Sequence, residues 1–544
     1  VKYNGFVGPS YTAYSSNLDA QQCMNWFPEL DESGMGKNVG MLIQRPGLTS
    51  PFTTLATTPV RALWTGGDPN STERLFAAGG SKLIEITGGG GLTVRGDIGD
   101  DASHTPVTLM PNGNQLGVVS AGKFYCDNGV GPVQPNFGNN IGTCSLYNVA
   151  GVVLVYRSTG APFDASTVGG TLTVGGVGYT ISAVYSGNWL LLATGPATGT
   201  YTYSFTVAVT AGSGTFLDGY YIIARPNSKT FNISGFNDGT SWDALDFAQK
   251  EGYPDNIATV IADHELLWIL GTESTEPWQN TGAANFPFQR IDAGVINVGC
   301  RAKYSVCRIS TLGFAFIGGT QDGQPIGYLM SGGFTPRRIS TNAVEKAWDS
   351  YSTVLDAIGY VHEWRGHIFW TINFPTADKT WVYDVGMNVW HERGWWNGSA
   401  NGRERGRCHA YCYGKHLVGD YSSGAVYQMS DTQYTDNGTA IHRSRTGPYA
   451  PNPSEGNDLY QFFQQFVLDM ETGVGSSPVM SLDWTNDGGH TFNTPITTTA
   501  GAAGNYSARV VWRRLGKVKL PYQRAFRIST TDASKMALID ASYE

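Results

Sequence analysis

Charge is scarce in this chain. Only 15% of its 544 residues are Asp, Glu, Lys or Arg, and acids outnumber bases by 44 to 36. A net charge of −8 excludes a general DNA-wrapping protein, which needs surplus cations to displace counterions from phosphate. Cysteine is sparse as well. Seven is an odd number that cannot all pair internally, so synthesis in a reducing cytoplasm is expected. No run approaches the roughly 20 apolar residues of a membrane helix, and VKYNGFVGPSYTAYSS at the start has no apolar core of signal-peptide length. Neither a targeting signal nor stable membrane insertion is expected. Long helical periodicity is also missing, and only LDFA (245–248) and VEKAW (344–348) suggest a turn or two of helix.

What the chain has instead is 70 Gly, 12% aromatic residues and a recurring hairpin. An apolar strand, a turn rich in Gly, Asn, Asp or Ser and a second aromatic strand occur seven times. The copies are RLFAAGGSKLIEI (from Arg74), QLGVVSAGKFYC (from Gln115), GYYIIARPNSKTFNI (from Gly219), ELLWILGTESTEPW (from Glu265), GFAFIGGTQDGQPIGYLM (from Gly313), HIFWTINFPTADKTWVYD (from His367) and HLVGDYSSGAVYQM (from His416). Most starts lie roughly forty to fifty residues apart, the period of a propeller blade. The expected fold is all-β, a β-propeller. Its blade count stays open, since strands from both ends of the chain can close one blade.

One spacing, about a hundred residues between the second and third hairpins, is too long for a blade. The excess falls on 151–214, where TVGGTLTVGGVGYTISAV and NWLLLATGPATGTYTYSFTVAV alternate Val, Thr, Leu and Tyr with almost no charge. This segment reads as a small β-barrel or sandwich inserted in an inter-blade loop. The expected division is an N-terminal arm entering the propeller (1–50), the first part of the propeller (51–150), the inserted small β domain (151–215), the second part of the propeller (216–450) and a C-terminal β-domain (451–544).

Several motifs look chemical. TNDGGHTF (485–492) resembles the Asp-box hairpin, in which Asp487, Gly489 and Thr491 fix a tight turn through side-chain to backbone bonds and Phe492 plugs the core beneath it. That box is structural. The glycine-rich stretches around Asp68-Pro69-Asn70 and at 88–91 precede no helix that would donate amides to a phosphate, and they read as turns. Arg403, Arg405 and Arg407 alternate, which would line one strand face with guanidiniums able to hold phosphate or carboxylates; the plainer alternative is pairing with acids of a neighbouring blade or subunit. Cys408 and Cys412 would share a face with Ala410 while His409 points away, which favours core thiols over a metal site. Carboxylates such as Glu363, Asp384 and Glu392 are scattered, and no Ser sits in a nucleophile elbow. No catalytic residue, cofactor or metal is expected.

A wider resemblance rests on MNVWHERG (387–394), RGRCHAY (405–411) and GKHLVGDY (414–421), with NWFPE (25–29) and RPGL (45–48) near the start and WRRLG (512–516), FRIS (526–529) and ALI (537–539) near the end. These segments resemble the packaged-DNA stabilisation and tail-hub (nozzle) proteins of tailed bacteriophages, over most of the chain except the insertion. The resemblance implies a structural virion protein of the phage tail without enzymatic activity. It further implies a propeller in each subunit of a homo-hexameric ring at the head–tail connection, below the portal and adaptor, carrying distal tail proteins (fibre, spike or needle). Such a ring retains packaged DNA and lets transient genomic dsDNA through its channel during ejection.

The residues are compatible with that role. An acidic wall repels phosphate, as a conduit requires. The segment from Arg509 to Lys535 is basic, with Arg513 and Arg514 as candidate subunit or phosphate contacts against a single acid, Asp532. The 28 Tyr, 24 Phe and 15 Trp exceed what one set of blades needs, and aromatics are favoured at permanent interfaces. The rival function is a propeller-type glycan-binding adhesin or sialidase-like glycan hydrolase on the tail, for which Arg61, Arg225 and Arg301 would form the arginine triad.

Overall fold

The computed structural model describes residues 1–544 apart from 68–72, 160–162, 164–167, 169–170, 320–322, 452–459 and 520–521, so the Asp68-Pro69-Asn70 turn lies outside the described residues. The chain is all-β, built mainly of seven blades around an axis, four-stranded except blade 5, where Gly299–Cys300 and Cys307–Ile309 both pair with Gly313–Gly319. Blades 1 to 6 occupy 60–97, 108–133, 213–249, 257–290, 299–338 and 358–393, and blade 7 takes three strands from 406–430. Each of the seven hairpins read from the sequence forms the two middle strands of a blade. These strands are sandwiched between neighbouring blades, so they are buried on both faces and mostly apolar: Leu116–Ser120 and Gly313–Gly319 are buried at every residue.

The ring closes with a strand from the other end of the chain. Gly47–Thr54 is the outer strand of blade 7, antiparallel to Ala425–Ser430 with Thr54 opposite Ala425 and Gly47 opposite Ser430. Two glycines permit the approach. A Cβ on Gly424 would lie 2.2 Å from the Leu55 carbonyl oxygen, and one on Gly47 would lie 2.3 Å from that of Gln433. Next to this strand, Arg45 and Asp436 form a buried pair through two nitrogens at 3.0 and 2.5 Å, and Arg45 Nε donates to Asn25 Oδ1 at 2.8 Å. Burial alone would lower the Arg45 pKa, yet Asp436 outweighs it and the pKa is raised.

Most of the first fifty residues do not enter the propeller. Ala20–Met24, Trp26–Leu30 and Gly40–Gln44 join the C-terminal β-sandwich, whose core sets Tyr3, Phe6, Cys23, Trp26 and Leu42 against Phe463, Phe466, Trp512, Phe526 and Leu538. The expected arm at 1–50 is thus largely a piece of the sandwich, because its aromatics find their apolar partners there. Arg443–Tyr449, within the expected second part of the propeller, also pairs into the sandwich. One sandwich sheet continues into blade 6, where Met24 pairs in parallel with Glu392.

The insertion is a closed six-stranded antiparallel barrel. Its strands are Asn136–Val149, Val152–Arg157, Thr171–Val174, Val177–Ser186, Trp189–Leu192 and Gly199–Ala208, with the first paired to both the second and the last. It fills its interior with Leu146, Val153, Val155, Leu172, Ile181 and Leu190. The barrel therefore starts before the expected 151–215 range, since its long first strand is also the exit from blade 2. It touches blade 3 where Phe137 pairs with Trp242. Of the two suggested helical segments, 344–348 lies in the helix Asn342–Asp349, capped by Thr341, whereas 245–248 belongs to the strand Asp238–Gln249.

Replacing Arg45 by Ala leaves Asp436 charged and buried, which is expected to cost about 3–5 kcal/mol. The urea midpoint should drop sharply for Arg45→Ala, and much less for the apolar double replacement Arg45→Met with Asp436→Leu.

Candidate functional sites

The Asp-box turn joins Val479–Thr485 to Ile496–Thr499 in the sandwich. Gly489 N–H donates to Thr485 Oγ1 at 2.9 Å. Asp487 accepts from the Thr491 amide at 2.9 Å and from its hydroxyl at 2.5 Å. The Thr491 bonds hold the Asp487 pKa down to about 2. Phe492 is not a core plug. It is half-buried under the Arg527 guanidinium, 3.7 Å from its ring centroid.

The three alternating arginines do not share a strand face. The strand begins at Gly406 and its register shifts between Gly406 and Cys408, so Arg403 and Arg405 precede it. Arg403 stacks on Tyr421 at 3.5 Å, and Arg405 lies over Trp395 at 4.4 Å and 3.5 Å from Asp420 of its own blade. Arg407 is buried and donates to the His104 carbonyl, and burial lowers its pKa to about 10. The arginines of the glycan-hydrolase reading are also engaged locally. Arg61 donates to the carbonyls of Thr105, Gly80 and Gly99 and lies 3.1 Å from Asp100; Arg225 donates to Asn232 and faces Phe137. Arg301 sits in blade 5, its amide donating to Ile317.

A cavity of about 930 Å³ opens among the inner strands of blades 1, 5, 6 and 7, with Trp64, Trp364, Tyr411, His409, His416 and Glu363 in its wall. Behind it lies a feature the sequence did not signal. The blade 6 face toward blade 5 is apolar, with Trp370, Ile372, Phe374, Trp381 and Trp390, but its opposite face buries Tyr360, His362, Thr371, Asn373, Thr380, His391 and Arg393. Arg393 lies 3.2 Å from His362 Nε2 and over Phe369 at 4.7 Å. Tyr360 donates to Glu404 at 3.2 Å, and Asn373 donates to the Gly406 carbonyl at 2.9 Å. Burial, reinforced by Arg393, pushes the His362 and His391 pKa values well down. His409 Nε2 is 3.1 Å from His416 Nδ1, and burial lowers its pKa to about 3.

All seven cysteines are free. Cys408 and Cys412 pack with Ala410 into the layer between blades 7 and 1, and burial raises the Cys408 thiol to about 12, so it is inert at neutral pH. Among the described residues no group of three or more His, Cys, Asp or Glu could hold a metal, and no helix is long and apolar enough to cross a membrane.

The basic C-terminal run divides in the fold. Arg524 is buried between Phe463 and Trp484 and donates to the Leu515 and Lys517 carbonyls; Arg527 pairs with Asp483 and Lys535 with Glu471. Arg513, Arg514, Lys517 and Lys519 stay exposed, with no carboxylate partner among the described residues.

Two family models match. The model described as bacteriophage P22 Gp10, beta-propeller covers residues 8–434, and bacteriophage P22 Gp10, beta-sandwich covers 454–544. No curated protein matches the chain. Similar solved structures include virginiamycin B lyase from Staphylococcus aureus (8% identity, 71% of this chain and 98% of that chain, TM-score 0.31) and the Cps50 (Swd1) beta-propeller domain from Myceliophteria thermophila (9%, 71% and 99%, TM-score 0.28). At such TM-scores the likeness carries no argument about this chain.

The histidines give a pH dependence of defined sign. His409 and His442 have folded pKa values of about 3 and about 4, below the ordinary value of about 6.5, so the native state binds fewer protons than the unfolded one. Their contribution is full above about pH 6.5 and is lost as pH falls through 4 and then 3. Tm should fall steadily on acidification below pH 6.5, and His409→Gln with His442→Gln should flatten that slope in calorimetric scans.

Proposed function

The chain belongs to the bacteriophage P22 Gp10 family, phage structural proteins of DNA stabilisation, and from that membership we propose that it is a ring-forming tail hub or nozzle. In this reading the chain is made in the host cytoplasm and incorporated in the virion tail. There a homo-hexamer extends the portal–adaptor channel, helps retain packaged DNA, lets dsDNA pass during ejection and carries the distal fibre, spike or needle proteins. The observation that carries the reading is that both family models lie in order along one chain and together take in nearly all of it.

The architecture supports a load-bearing part. Blade 6 and one sandwich sheet are continuous through the Met24–Glu392 pairing, and the Arg45–Asp436 pair ties the closing strand of the propeller to the segment that feeds the sandwich. A force on either domain is thus transmitted through backbone hydrogen bonds rather than through a linker. The net negative charge suits a channel that must not bind duplex.

The second reading, a glycan-binding adhesin or hydrolase, draws on the aromatic-walled cavity of Trp64, Trp364 and Tyr411. Saturable binding of host-surface polysaccharide by the purified chain would favour the adhesin, and its depolymerisation the hydrolase.

Particles made without this chain should fill with DNA and then lose it, as read by nuclease sensitivity of the genome, and imaging of complete tails should show six copies around an open channel. Filled heads that keep their DNA without the chain would overturn the reading.

A further inference from the structure

Two exposed strands on opposite domains of this chain are left with matching deficits. In the sandwich, Val510–Lys519 is the edge of its sheet, paired among the described residues only with Tyr460–Met470. Its outer face carries Arg513, Arg514, Lys517 and Lys519, and directly across the ladder stand Phe462 opposite Lys517 and Tyr460 opposite Lys519. Phe462 is 67% exposed and Lys517 lies over the Tyr460 ring at 3.9 Å. No acid occurs between Arg509 and Lys519, in a chain whose acids outnumber its bases by 44 to 36.

The complement is the outer strand of blade 3, Asp238–Gln249. Among the described residues its one ladder pairing to the barrel is at Trp242, and the register within blade 3 shifts between Trp242 and Phe247, so 243–246 form a bulge on this outer edge, with Asp243 accepting from the Leu245 amide at 2.9 Å. Here Asp243 and Asp246 stand close enough that Asp243 helps burial raise the Asp246 pKa, and neither has a cationic partner among the described residues. Leu245 is 80% exposed, and Phe247 and Tyr253 are exposed beside them. Open apolar side chains on a strand edge are an aggregation hazard unless a partner covers them, and charge on such an edge turns away every partner that lacks the opposite sign.

We propose that these two edges bind each other between copies: the cationic, aromatic edge 510–519 of one chain takes the acidic, apolar edge 243–249 of the next. Charge complementarity selects the partner, since a second edge 510–519 would bring cation against cation and a second edge 243–249 acid against acid. Two different patches on one chain give a head-to-tail contact, which builds a ring when the rotation between neighbours closes and is not that of a two-fold dimer. This contact rests on the ring-forming reading above and assigns residues to its subunit interface.

The test is a charge exchange in the full chain, read by sedimentation velocity over a wide concentration range. Wild type should self-associate. Arg513→Glu with Arg514→Glu, and separately Asp243→Lys with Asp246→Lys, should each weaken association at least about tenfold, and the quadruple variant should recover it. All four side chains are exposed or half-buried, so thermal melts should stay close to wild type. A wild type that remains monomeric, a single exchange without effect, or a quadruple variant without recovery would each overturn the contact. The outcome is separate from DNA retention by particles: if that requires the chain while the exchanges change nothing, the hub reading stands and this contact falls.

Discussion

The structure depends on one strand. A propeller is a ring of sheets, and a ring made from a linear chain is held at its seam only by what crosses it. Here Gly47–Thr54, from the start of the chain, completes the blade begun near its end. The seam is locked by a bidentate ion pair, Arg45 with Asp436, that water does not reach. Once that strand is placed, the segment before it has nowhere to bury Tyr3, Phe6 and Trp26 except against the last hundred residues. Blade closure and sandwich assembly are therefore one event in space although their partners are remote in sequence.

Buried arginine recurs at such joints. Arg445 gathers the carbonyls of Phe6, Pro9 and Gly5 and the Gln21 side chain, and Arg524 holds the Leu515 and Lys517 carbonyls between two aromatic faces. Five fixed donors let one guanidinium satisfy several irregular loop carbonyls at once, which no apolar residue can do. The price is desolvation, visible in the lowered pKa of both side chains. The blade 6 face toward blade 7 makes the same trade with histidine and Arg393, whose pKa values burial also lowers.

The sequence was most informative where two faces share one fate. The middle strands of each blade are covered on both sides, so they read as apolar runs with a tight turn between, and all seven were visible. Outer strands such as Asp238–Gln249 have one wet face and mixed composition, and part of that strand even read as helix. The arginines show the same limit. Alternation at 403, 405 and 407 implies a common face only if the backbone is extended throughout, and a register shift at Gly406 removes that condition. Likewise the basic run after Arg509 reads as uniform, yet Arg524 is core, Arg527 and Lys535 are paired, and Arg513, Arg514, Lys517 and Lys519 have no carboxylate partner among the described residues.

By itself the sequence determined the all-β class, the hairpin period, the presence of an inserted β unit and the resemblance to phage DNA-stabilisation proteins. Each of these is carried by residues near one another in the chain, through turn chemistry and alternation. Tertiary structure alone decided that there are seven blades, that the first forty-odd residues belong to the sandwich, that the barrel starts at Asn136, and which charges stay unpaired. Those outcomes turn on contacts between residues hundreds of positions apart, where burial and pairing are set by whichever surface arrives, and local pattern holds no record of it.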